Sequence, residues 1–139
     1  MKKYLCLVYF EEKTLEALSK GESDTLVRES LAYDDDLRRR GHLIVAHALQ
    51  PIRTATSLRL RNGRLSVTDG PFAETKEQLG GFILIDAKDL NDAIQAAAKI
   101  PMARLGRIEV RPTWELEQKQ PQAGRALPMT TPSPSRIGG

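Results

Sequence analysis

The sequence predicts an α+β fold in which one antiparallel sheet carries two helices on one of its faces. Three observations lead there. Residues 3–10 and 82–85 are apolar at both parities, the pattern of strands covered on both sides. Residues 24–40 and 88–100 repeat apolar side chains at helical spacing. The pair Asn62-Gly63 stands between two short segments and marks a two-residue hairpin turn.

The elements follow in chain order. The apolar run 3–10 is a central strand, and residues 11–21 read as a polar connection. In the helix over 24–40, Leu26, Val27, Ser30, Leu31, Asp34 and Leu37 fall near one stripe, and Gly41 supplies the stop. A second strand over 42–49 closes at Pro51. Residues 56–61 and 64–68 form the hairpin arms around Asn62-Gly63. Asp69-Gly70-Pro71-Phe72 is a turn, residues 74–78 suggest one turn of helix, and Gly80-Gly81 lead into the strand over 82–85. In the helix over 88–100, Leu90, Ala93, Ile94 and Ala97 share a face, with Asp86 or Asp89 as its cap and Pro101 as its end. Ile108 and Val110 alternate with charged neighbours in a last strand over 107–111. The resulting order, β-α-β-β-β-β-α-β, is a ferredoxin-like βαββ(β)αβ pattern with a hairpin added in the middle. Helices on one face leave the other face of an apolar sheet to be covered, and a second copy of the same sheet is the economical cover. A symmetric homodimer is therefore expected.

The chain has 139 residues, of which 40% are hydrophobic and 28% charged, as befits a single globular domain. Its net charge of +3 would invite a nucleic-acid partner if the charge were concentrated on the folded body. It is not: residues 1–116 hold 18 Lys+Arg against 17 Asp+Glu, and residues 117–139 hold three against one. The division predicts a nearly neutral domain over 1–116 and a flexible or extended tail over 117–139, where four of the eight prolines lie. Arg53, Arg59, Arg61 and Arg64 make the hairpin basic, but no aromatic residues interleave with them, so no nucleic-acid partner is expected. The lone Cys6 lies in an apolar run and reads as a buried thiol in a reducing, cytoplasmic setting. No apolar stretch reaches membrane-spanning length, and no leader pattern opens the chain.

Several residues have the chemistry of a site. Asp69 either bonds turn amides or presents a carboxylate base, and His47 on the second strand has the residue type to exchange protons with it. His42 and His47 stand five apart, on opposite faces of a regular strand, and form no metal pair. His42, beside Gly41, is expected to be solvated. Tyr33 and Phe72 are candidate walls of a ligand site shaped by Gly70 and Pro71, and Glu109 with Arg111, on one face of the last strand, either form cross-strand ion pairs, meet across the dimer or hold a polar ligand. The run Asp34-Asp35-Asp36 ahead of Arg38-Arg39-Arg40 reads as a stabilising solvated face, because consecutive helical carboxylates diverge by about 100° and cannot share one ion. No metal and no organic cofactor are expected, and no glycine-rich nucleotide loop is present.

The segment Val67-Thr68-Asp69-Gly70-Pro71-Phe72-Ala73-Glu74-Thr75-Lys76-Glu77, with Gly80-Gly81-Phe82, resembles the signature of the DGPF branch of the YCII-related family. Ala48-Leu49-Gln50-Pro51, Asp89-Leu90-Asn91-Asp92-Ala93 and Ile108-Glu109-Val110-Arg111-Pro112 extend the resemblance over about residues 2–116. The resemblance implies a dimeric α/β barrel of ferredoxin-like subunits. It also implies a His–Asp pair in the cleft between sheet and helices, with the histidine early in the first helix; residues 24–40 contain no histidine. Branch members further suggest an accessory or regulatory role beside an extracytoplasmic-function sigma factor in a bacterium. Two functions are thus expected to compete: a homodimeric small-molecule-binding or accessory module, and a cofactor-independent enzyme using Asp69 and His47 as an acid/base pair.

Overall fold

Residues 1–116 are described in the computed structural model, and the first strand organises the rest. In β1 (Lys2–Phe10) the even residues Tyr4, Cys6, Val8 and Phe10 are buried, while the odd ones stay partly open. β1 is flanked on both sides by antiparallel partners, β5 (Gln78–Ala87) and β6 (Arg107–Pro112), and β2 (Leu43–Ala48) pairs antiparallel with the outer side of β5. The sheet order is β2-β5-β1-β6. This α+β arrangement is compatible with a ferredoxin-like fold.

Two helices cover the even face of β1. α2 (Lys20–Arg39) delivers Leu37, and α3 (Leu90–Ala98) delivers Ala93, Ala96 and Ala97, onto Tyr4, Cys6, Ile83 and Ile85. The small α3 side chains let that helix lie close to the sheet. The Tyr33 hydroxyl donates to the Ala96 carbonyl at 2.6 Å and ties the helices together. Strand pairing sets the opposite face in rows across the sheet: Glu109, Leu7, Phe82 and His47 in one, Arg111, Leu5, Leu84 and Val45 in the next. No described helix packs on that face.

The order of the strands and of the two long helices agrees with the sequence reading, and the differences lie at boundaries and in short segments. α2 begins at Lys20 rather than at residue 24, because Ser19 and Glu22 form a reciprocal capping box: Glu22 N–H donates to Ser19 Oγ at 3.1 Å, and Ser19 N–H to Glu22 Oε1 at 2.8 Å. A short helix, α1 (Glu12–Glu16), occupies what reads as a polar connection. Residues 74–77 are not helical: Gln78 Nε2 bonds the Thr75 carbonyl at 3.0 Å, and the Thr75 hydroxyl bonds the Glu77 carbonyl at 2.6 Å, so local side-chain bonds displace a helical turn. Gly80 and Gly81 lie inside β5 rather than before it. The Phe10 ring occupies the place a Gly80 side chain would take, and the β1–β5 register shifts at Val8/Tyr9 beside it. α3 is capped by Asp89, whose carboxylate accepts from Asp92 N–H at 2.9 Å. His42 is partly buried rather than fully solvated, and its Nδ1 lies 2.8 Å from the Asp86 carbonyl, which can only accept.

β3 (Thr56–Arg61) and β4 (Arg64–Asp69) pair only with each other. Their turn matches the sequence signal, with Asn62 at φ 51° and Gly63 at φ 77°. One face of this ladder pairs Leu58 with Val67 and Leu60 with Leu65, all exposed. The base is fastened by Gly70 N–H to the Ala55 carbonyl, by the Ser57 hydroxyl to the Gly70 carbonyl, both at 2.7 Å, and by Ile52 N–H to the Glu12 carboxylate at 2.7 Å. The tail expected over 117–139 lies outside the described residues.

Candidate functional site

A cleft of about 420 Å³ opens between the middle of α2 and the β2–β5–β1 side of the sheet. Its α2 wall is the stripe Leu26, Val27, Ser30, Leu31 and Asp34. Its floor is made by Val8, Phe10, Ala46 and Ile83, and Ile100, Pro101 and Met102 close one end. The lining is therefore apolar apart from a hydroxyl, a carboxylate and the bordering His47, a composition typical of small-ligand cavities. The space exists because α2 reaches the sheet tightly only near its C-terminus, where Leu37 is fully buried, whereas Val27 and Leu31 remain exposed.

Asp34 is set apart from its two neighbours. Asp35 pairs with Arg38 and Arg39, and Asp36 with Arg39 and Arg40. Asp34, one helical step earlier, turns to the cleft and makes no hydrogen bond or ion pair with another described residue. Burial pushes its carboxyl above the ordinary range, and Arg38 one turn on pulls it partly back. The group is thus a partly buried acceptor on an otherwise apolar wall.

The residues expected to form a site are dispersed. His47 borders the cleft, but its ring packs on Phe82 with centroids 5.8 Å apart, at the β2 edge of the sheet's other face. Asp69 ends β4, exposed, opposite Thr56, and no hydrogen bond or ion pair joins it to His47 among the described residues. Gly70, at φ 102°, is fixed by the bonds at the hairpin base, Pro71 is partly buried, and Phe72 projects with 91% of its surface exposed. Tyr33 is engaged with Ala96 between the helices and does not line the cleft; burial raises its phenol, and a hydrogen bond with Arg40 opposes that shift. Glu109 and Arg111 lie 3.6 Å apart on one strand, three strands from His47 and hence roughly 14 Å across the sheet.

Ser30 and Asp34 are the polar residues that sequence reasoning passed over as a site. Their signal was positional, since both fall on the apolar stripe of α2 while Asp35 does not. They occupy the wall of the helix–sheet cleft, on a helix that has no histidine.

Fold and cleft together define an α+β scaffold with a ligand-sized cavity between its sheet and one helix. The chain belongs to the YCII-related domain family, whose profile matches residues 2–117. It is also similar to an uncharacterized protein of Rhizobium meliloti (strain 1021), with 40% identity over 111 residues that cover 78% of this chain and 90% of that protein. No described helix is long and apolar enough to cross a membrane.

Proposed function

We propose that this protein is a small-molecule-binding module of the DGPF branch of its family, acting as a homodimer in an accessory or regulatory role, with its ligand in the α2–sheet cleft. The cleft carries the reading: about 420 Å³ lies within the range that small ligands occupy, and one wall sets a carboxylate and a hydroxyl among aliphatic side chains. Among the described residues, the cleft contains no base hydrogen-bonded to a nucleophile, which favours binding over catalysis. The Asp69-Gly70-Pro71-Phe72 motif supports the branch assignment and, through it, a role beside an extracytoplasmic-function sigma factor, and the lone Cys6 supports a cytoplasmic setting.

The dimer rests on the sheet face away from the helices, where Leu5, Leu7, Phe82 and Leu84 form a continuous apolar centre. A second copy presents the same surface and satisfies it by twofold symmetry.

The test of the cleft is mass spectrometry of small molecules released from the natively purified protein and from Ser30→Phe, which fills the cleft from the α2 wall. A compound retained by the parent and reduced about tenfold or more in the variant is expected, with circular dichroism confirming that the variant is folded. Equal retention by both proteins, or no retained compound in either, overturns the reading.

A further inference from the structure

The cleft wall has a polarity that selects among ligands. Of the residues that line it, Asp34 is the sole carboxylate, and no lysine or arginine joins it there. The arginines that follow along α2 place their ion pairs outside the cleft, Arg38 and Arg39 with Asp35, Arg39 and Arg40 with Asp36, and Arg38 reaches Asp34 only through its field. Asp34, partly buried, thus presents two acceptor oxygens with no hydrogen-bonding or ion-pair partner among the described residues, and such an acceptor gains most from a cationic donor. Ser30 stands one turn earlier on the same wall, at the spacing that brings two helical side chains side by side, and adds a hydroxyl beside the carboxylate.

We infer that the cleft takes an amphiphilic amine, its ammonium group bound by Asp34 with Ser30 beside it and its apolar body lying on Val8, Phe10, Ala46 and Ile83. The inference rests on the cleft being the ligand site. Anionic ligands are disfavoured, because a carboxylate or phosphate entering this cavity meets Asp34 and finds no lysine or arginine on its walls. Neutral ligands of the same length fill the apolar part but give Asp34 a weaker, uncharged donor.

The experiment is calorimetric titration of the full chain with three probes of matched length: hexylamine, hexan-1-ol and hexanoate. The expected order is amine tighter than alcohol by about tenfold, with hexanoate weakest. In Asp34→Asn the amine and the alcohol are expected to bind equally, while Asp35→Asn, which alters a carboxylate outside the cleft, keeps the preference for the amine. Alcohol binding as tight as amine binding in the parent, or an amine preference that survives Asp34→Asn, overturns the inference and leaves the cleft as the ligand site. Failure of all three probes to bind overturns both the inference and the cleft as the site for ligands of this size.

Discussion

Cys6 is fully enclosed within the sheet–helix core, and burial pushes its thiol up to about 11 from an ordinary 9.0. The folded state therefore holds this proton more tightly than the unfolded chain does. The associated stability is complete below pH 9, where both states are protonated, and is lost as pH rises from about 9 through about 11. Chemical unfolding at pH 8 and pH 10.5 is expected to show a loss of order 1–2 kcal/mol that Cys6→Ala, already less stable because of the cavity it creates, does not share. The burial of Cys6 was legible in the sequence because its neighbours are apolar on both sides. The role of Asp34 was not: three consecutive aspartates read as one solvated patch, and only the 100° step between helical neighbours separates the one facing the cleft from the two that meet arginines.

At the scale of elements, helix ends and strand interruptions were the difficult part. Ser19 and Glu22 satisfy each other's backbone donors, so the start of α2 depends on a side chain–backbone exchange rather than on the apolar repeat. Ser19→Ala is expected to cost about 1 kcal/mol in denaturant unfolding, with the midpoint falling and the slope unchanged. The capping pattern was present in the sequence, but the repeat that starts near Leu26 drew the boundary inward. Gly80 misled for a different reason. Paired glycines usually mark a turn, whereas here a strand residue without a side chain admits the Phe10 ring, a long-range requirement that no local window contains. The Asn62-Gly63 turn was fully legible, because its backbone preference is a property of those two residues alone.

At the scale of the whole molecule, the order of strands and long helices followed from periodicity, and the central place of β1 and β5 in the sheet agrees with their being apolar on both faces. The cleft did not follow, since it depends on how far α2 stands off the sheet along its length. The sheet face with Leu7 at its centre leads to an expectation about assembly. Light scattering of the parent is expected to give twice the chain mass of 15.5 kDa, and Leu7→Lys to give the single mass with secondary structure retained. A parent that stays at 15.5 kDa at micromolar concentration removes the dimer. The β3–β4 ladder has a consequence of another kind. Its two strands share no hydrogen-bonded partner with the four-stranded sheet, and a ladder of two strands is marginal without support on its face. The chain is therefore expected to hold two cooperative units of unequal strength, with ladder amides that exchange with solvent at a lower free energy than those of β1 and β5 in a hydrogen-exchange measurement. A melting curve that follows the sheet reports only the stronger of the two.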